Sequence, residues 1–189
     1  MYALAGRQFY RDCKIYGTVD FIFGNAIASF QSCQLLARKP LQGQENTLTA
    51  QGRRVVEDIS GFSFQNCTLV ASNDLMLAPF HVRTYLGRPW KPYSRTIFLQ
   101  SFLDNLIDPS GWLPWNSSNP YNDTVYYAEF QNRGPGSPIS NRVSWLGVHP
   151  SLNSSEALQF TADNFILGST WLPLTQISYT SGLSSDPQH

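Results

Sequence analysis

The chain alternates short apolar runs with turn signals, and no long amphipathic helical pattern appears in its first 150 residues. The clearest run is 17–26, Gly-Thr-Val-Asp-Phe-Ile-Phe-Gly-Asn-Ala. Its β-branched and aromatic residues suit a pleated, half-buried surface, so it predicts a short strand bounded by glycines. Strict alternation puts Val19, Phe21 and Phe23 on a core face and Thr18, Asp20 and Ile22 on the other. Asp20 is then a lone carboxylate on a rigid sheet surface. Two readings fit it equally: a surface Asp with a hydrogen-bonding partner, or a nucleophile or general base held on a strand. Further strands are predicted over 60–64, 96–100, 125–130 and 142–145, with turn signals at Pro40, Gly43, 109–111 and 134–136. A short helix is predicted within 154–167, with Ala157, Leu158, Phe160 and Phe165 as its buried positions. No linker divides the chain, so residues 1–175 are read as one domain. Residues 176–189 form a polar segment expected to be a loose tail.

A repeat organises the strands. Tyr10-Arg11-Asp12-Cys13-Lys14-Ile15, Phe30-Gln31-Ser32-Cys33-Gln34-Leu35 and Phe64-Gln65-Asn66-Cys67-Thr68-Leu69 share one pattern: aromatic, two polar residues, Cys, polar, aliphatic. Like strands at irregular spacing fit a β-solenoid, in which each coil adds a strand to a parallel sheet and loops vary in length. Like residues then stack about 4.8 Å apart, within reach of a disulfide. Cys33 and Cys67 have the most similar surroundings and are the expected bridge; three buried free thiols are the alternative. An odd number of cysteines leaves one unpaired, and no C-x-x-C spacing points to zinc or a redox dithiol.

Composition narrows the function. The 13 basic and 13 acidic residues cancel, which gives no general attraction to nucleic acid or an anionic membrane. No apolar run approaches the ~20 residues that span a bilayer, and Met1–Arg7 is not a signal peptide. Four glycosylation sequons, at Asn66, Asn116, Asn122 and Asn153, lean toward a secreted protein.

A second informative stretch is 85–96. Pro89 and Pro92 stiffen a loop that presents Arg88 and Trp90 two residues apart. Arg forks onto carboxylates, and Trp offers a flat apolar face to a sugar ring. Trp112 and Trp115 add further aromatic candidates. Arg83, Arg88, Lys91 and Arg95 are expected to make this loop locally positive.

GTVDFIFGNA followed by LGRPW resembles the pectin methylesterases (pectinesterases) of plants and bacteria. The likeness continues in RQFYRDC (7–13), SRTIFLQS (94–101), IDPSGWLPW (107–115), EFQNRGPGS (129–137), RVSWLGVHP (142–150) and FTADNFILGSTWLP (160–173). It covers nearly the whole chain in order, and the cysteines favour the plant type. The resemblance implies an all-β, right-handed parallel β-helix with a short helical or loop segment at its C-terminal end. It implies cofactor-free, metal-free hydrolysis of the C6 methyl ester of galacturonate in pectin. Asp20 matches the family's nucleophile, which forms an acyl-enzyme that water opens. Arg88 matches the arginine that orients it and binds substrate; Trp90, Phe23 and Trp112 match substrate-contacting aromatics. The implied partners are pectin and a proteinaceous pectinesterase inhibitor, and the implied location is the cell wall.

The family's general-acid aspartate lies in a Gln-Asp-Thr-Leu-Tyr motif whose last two residues align with Met1 and Tyr2. The acid, the oxyanion-hole glutamine and the early rungs thus fall before residue 1, and the chain reads as the C-terminal part of a catalytic domain. The alternative is a catalytically impaired pectin-binding remnant. A polysaccharide lyase, a third reading, would need clustered acidic calcium ligands, and none stands near Asp20 in sequence.

Overall fold

Each copy of the Cys-bearing repeat ends one strand, turns a corner and starts the next. The computed structural model describes residues 1–185. The first sheet stacks β1 (Arg7–Arg11), β4 (Ile27–Gln31), β7 (Gly61–Gln65), β10 (Arg95–Leu99), β12 (Tyr126–Phe130) and β13 (Val148–His149). The second stacks β2 (Lys14–Gly17), β5 (Gln34–Ala37), β8 (Thr68–Ala71) and β11 (Phe102–Leu103). The third stacks β3 (Ile22–Gly24), β6 (Asn46–Gln51) and β9 (Thr84–Gly87). All pairings are parallel and in register, so successive coils form the rungs of a parallel β-helix. Between the first and second sheets the chain turns at one left-handed residue per rung: Asp12, Ser32, Asn66, Gln100 and Gln131 have φ of 53°, 53°, 52°, 51° and 48°. The first three are the positions immediately before Cys in the repeat, where short polar residues that tolerate the left-handed turn recur, and the last two are glutamines at the equivalent corner of later rungs.

In-register stacking lines the interior with ladders. Tyr10, Phe30, Phe64 and Phe98 stack at successive centroid distances of 4.8, 4.5 and 4.7 Å. The next position in this ladder is not aromatic but Glu129, opposite Phe98. The inner strands β4, β7, β10 and β12 of the first sheet are buried on both faces, because their outer face packs Ile27, Ile97, Leu99 and Phe130 against Phe160, Phe165 and Ile166 of the C-terminal segment. That segment holds two short helices, α2 (Ser154–Leu158) and α3 (Ala162–Phe165), in place of a single one. Asn153 caps α2 in a reciprocal pair with Glu156. Ala157, Phe160 and Phe165 are buried as expected, but Leu158 is 40% exposed. Residues 142–145 are not a strand; they form a loop before β13 that carries the buried Arg142.

The cysteines stack as the repeat predicts, yet Cys33 and Cys67 are free thiols and not a bridge. In-register strands hold side chains parallel at the rung spacing, beyond the ~3.8 Å between Cβ atoms that a disulfide prefers. Each thiol instead points at two carbonyls, Cys33 at those of Tyr10 and Gln31, and Cys67 at those of Phe30 and Gln65. Burial pushes the Cys67 thiol well above its ordinary pKa, which leaves little thiolate for exchange.

The expectation of a loose tail fails for 180–184. Gln31, Gln65 and Gln100 form a ladder of side-chain amides, Gln31 Nε2 donating to Gln65 Oε1 at 2.9 Å and Gln65 Nε2 to Gln100 Oε1 at 3.5 Å. Their second amide hydrogens go to the carbonyls of Thr180, Gly182 and Ser184 at 2.7, 2.8 and 2.7 Å. The Thr180 and Ser184 N–H groups answer to Gln31 and Gln100 Oε1, both at 2.9 Å. The glutamines thus act as a sheet edge made of side chains. They read main chain at every second residue, whatever its side chain. Residues 186–189 of the expected tail lie outside the described residues. Gln100→Leu is expected to speed hydrogen exchange at the Ser184 amide about tenfold or more, since it deletes a reciprocal pair. Unchanged exchange there would show that the ladder does not hold this segment.

Candidate active site

The side-chain alternation predicted for 17–26 breaks at Asp20. This residue has φ 53°, so the strand starts only at Ile22. The left-handed turn puts both Phe21 and Ile22 into the core, at 6% and 0% exposure. Phe23, expected inside, instead shares an open cavity with Asp20.

Arg88 arrives from two rungs away. Strand β9 ends at Gly87, which lies so close to β6 that a Cβ there would sit 2.0 Å from Thr49 Oγ1. The Arg88 N–H donates to the Thr49 carbonyl at 2.9 Å, and Pro89 holds Arg88 extended. The guanidinium then forks onto the carboxylate, Nε to Asp20 Oδ1 at 2.8 Å and Nη2 to Oδ2 at 2.7 Å. Both side chains keep partial access to solvent, 24% for Arg88 and 20% for Asp20. Thr47, fully inside on β6, donates its hydroxyl to Asp20 Oδ1 at 2.6 Å and accepts the Asp20 N–H at 2.8 Å.

Aromatic faces surround this pair. A cavity of about 340 Å³ is lined by Val19, Asp20, Phe23, Ala50, Trp90 and Trp115. Phe23 meets Trp90 edge-on at 6.2 Å and stacks on Tyr2 at 4.8 Å. The Arg88 guanidinium carbon lies over the Trp115 ring, 4.6 Å from its centroid, so the fork has a second packing partner besides Asp20. A larger hollow of about 460 Å³ lies elsewhere, beside Tyr16, but its charged groups Arg38 and Asp74 are paired with one another at 3.0 Å.

Of the residues expected to form a site, Asp20, Arg88, Trp90 and Phe23 come together, and Trp112 does not. Trp112 is 1% exposed and stacks on the buried Tyr127 at 4.1 Å, continuing the interior ladders. It bridges Gly87 through the backbone, and Leu113 N–H donates to the Gly87 carbonyl at 3.1 Å. That pairing delivers Trp115, two residues past Leu113, to Arg88. Beneath, Tyr127 bonds its hydroxyl to Ser94 at 3.0 Å, and burial raises its pKa far above the usual phenol value.

The expected positive patch also dissolves. Arg83 pairs with Glu45, and Arg88 with Asp20. Arg95 turns inward to the carbonyls of Ser60 and Ile59, where burial and then the neighbouring Arg53 lower its pKa to about 10. Lys91 remains at the cleft, over the Trp90 ring at 5.4 Å.

Comparison with known proteins agrees with this architecture. Residues 1–169 match the family described as Pectinesterase. The chain is 51% identical over 183 residues to Pectinesterase 2 of Citrus sinensis, which takes in 97% of this chain and 36% of that protein. It is 51% identical over 185 residues to a probable pectinesterase/pectinesterase inhibitor of Arabidopsis thaliana, covering 98% of this chain and 30% of that one. Among solved structures it superposes on the pectin methylesterase from carrot with a TM-score of 0.92 at 43% identity, over 97% of this chain and 59% of that one. The Aspergillus niger pectin methylesterase gives 0.72 at 30% identity, over 90% and 50%. The chain thus spans about a third of the length of these curated relatives.

Proposed function

The chain belongs to the pectinesterase family, and from that premise we propose that it removes methyl esters from the galacturonate units of pectin, with residues 1–175 carrying the site. The observation that carries this reading is the forked Asp20–Arg88 pair at the floor of an aromatic cavity. Asp20 is the nucleophile and Arg88 orients it. A carboxylate attacks in its ionised form, and the forked guanidinium fixes where its oxygens stand. Trp90, Phe23 and Trp115 offer faces to the sugar rings. An Asp20 oxygen bonds to the ester carbon as the C6–methoxy bond breaks, and methoxide takes up a proton to leave as methanol. Water then opens the acyl-enzyme anhydride, releasing the uronate and regenerating Asp20.

A pectin-binding remnant would need the aromatic faces but has no use for a carboxylate held at both oxygens, so the site favours the esterase. Several relatives are named for a pectinesterase joined to a pectinesterase inhibitor, which supports a proteinaceous inhibitor as a second partner at this cleft. The plant relatives support secretion to the cell wall, and exposed Asn116 and Asn153 are the sequons best placed for glycans. No helix among the described residues is long and apolar enough to cross a membrane.

Methanol release from highly methylated pectin tests the activity. It is to be measured for this chain alone and for this chain joined to the Gln-Asp-Thr-bearing segment of a relative. Release by either form, with de-esterified pectin giving none, is the expected result. Two folded but inert forms that still bind pectin would replace the esterase with the binding remnant.

A further inference from the structure

We infer that Thr47 is a positioning residue for this reaction, and that it determines which oxygen of Asp20 attacks. The inference rests on Asp20 being the nucleophile. The two carboxylate oxygens are held unequally. Oδ1 takes the Thr47 hydroxyl at 2.6 Å and Arg88 Nε at 2.8 Å, whereas among the described residues Oδ2 takes Arg88 Nη2 alone, at 2.7 Å. Each donor engages a lone-pair direction that would otherwise point at an electrophile. Oδ1 is therefore the anchored oxygen and Oδ2 the one with a lone pair free.

Thr47 anchors more than the oxygen. The same hydroxyl accepts the Asp20 N–H at 2.8 Å, so its donor and acceptor capacities close a small ring through Asp20's own main chain. That ring fixes a non-glycine residue at φ 53° and sets the side chain relative to its backbone. The neighbouring contacts of the ring are main chain: Thr47 N–H donates to the Thr18 carbonyl at 3.2 Å, and Phe21 N–H to the Thr47 carbonyl at 3.4 Å. Thr47 is 1% exposed, its hydroxyl cannot turn to water, and valine of nearly the same shape would leave the strand but remove both bonds.

The assignment follows the chemistry through both steps. Oδ2 forms the bond to C6 while the methoxy group leaves with a proton. In the anhydride Oδ1 is the carbonyl oxygen of Asp20 and keeps its two donors. When water adds to C6, the C6–Oδ2 bond breaks, its electron pair returns to the carboxylate and the water proton goes to solvent. The donors on Oδ1 are already placed to accept the returning charge, with no reorganisation.

The test compares Thr47→Val and Thr47→Ser in an active form of the protein, reading kcat, KM and Tm together. Thr47→Val is expected to lower kcat per folded molecule about 10- to 100-fold, with KM within about twofold. Thr47→Ser restores the hydroxyl and is expected to return kcat to within about threefold. If Thr47→Val keeps the parent kcat, or if Thr47→Ser is as impaired as Thr47→Val, the inference is overturned. Should the valine variant not fold, Thr47→Cys takes its place, since a thiol is a weak donor of similar size; parental kcat in that variant overturns the inference equally. Asp20→Asn in the same assay separates the two readings. An active Asp20→Asn removes the nucleophile assignment, whereas an inert one beside an unimpaired Thr47→Val removes only the role of Thr47.

Discussion

Asp20→Asn is expected to lower kcat for methanol release by about 10⁴- to 10⁶-fold, the range seen when a covalent nucleophile is deleted. The amide has nearly the shape of the carboxylate, so the turn at φ 53° and the Thr47 contacts to its oxygen and N–H can persist. What disappears is the ionised oxygen. Asn turns an NH₂ toward Arg88 Nη2, where two donors now face one another, and its neutral oxygen is too weak a nucleophile to open an ester. The fold should tolerate the change. Arg88 keeps 24% of its side-chain surface in solvent and still packs on Trp115, so its charge is not stranded in a dry interior. Pectin binding should be retained, because the aromatic faces are untouched. Circular dichroism, Tm and binding of methylated pectin, read beside methanol release, check this. A folded Asp20→Asn variant with turnover near the parent would remove Asp20 from the chemistry.

The coil was legible because the physics that stacks rungs also repeats residues. The aromatic and the Cys of each copy lie inside and the residue before Cys makes the corner, so three copies of one pattern predicted in-register strands. Asp20 and Arg88 are 68 residues apart, and no local pattern joins them; family likeness did, and the register of β6 with β9 shows how. Local reasoning failed where one backbone angle or one bridge decides. The left-handed Asp20 breaks the two-residue period, which sends Phe23 outward. Trp112 and Trp115 are both tryptophans of one proline-bearing loop, and only the Gly87–Trp112 bridge decides that the first is core and the second cleft. Thr47 gave no signal: 46–51 was not among the predicted strands, and its threonine gains a role only once the fold places it beside Asp20. The four cations of 83–95 looked like one patch, since sequence does not show that Arg83 has Glu45 and Arg95 has buried carbonyls.

Arg142→Met is expected to destabilise the fold by about 3–5 kcal/mol, the cost of leaving one member of a buried ion pair unpaired. Glu129 takes the aromatic position of the interior ladder at its fifth rung, where its carboxylate is 2% exposed. Arg142 Nε and Nη2 neutralise it at 2.7 and 3.1 Å, while Nη2 and Nη1 also reach the carbonyls of Gly136 and Pro109 at 2.9 and 3.1 Å. One guanidinium therefore closes the end of the ladder and ties down two loops. Gly111, with φ 74°, lies against it, since a Cβ there would come within 2.5 Å of Arg142 Cδ. The loop so held is the one that runs on through Trp112 to Trp115 and the face of Arg88. Thermal unfolding should show Tm lowered by roughly 10 °C. The double change Glu129→Leu with Arg142→Met should recover most of that loss, because well-packed apolar residues often replace a buried pair at no net cost. It would not restore the grip on Pro109 and Gly136, so its activity should stay below the parent even as its Tm returns. If Arg142→Met alone unfolds within about 1 kcal/mol of the parent, Glu129 has another way to shed its charge and the pair is not what closes the coil.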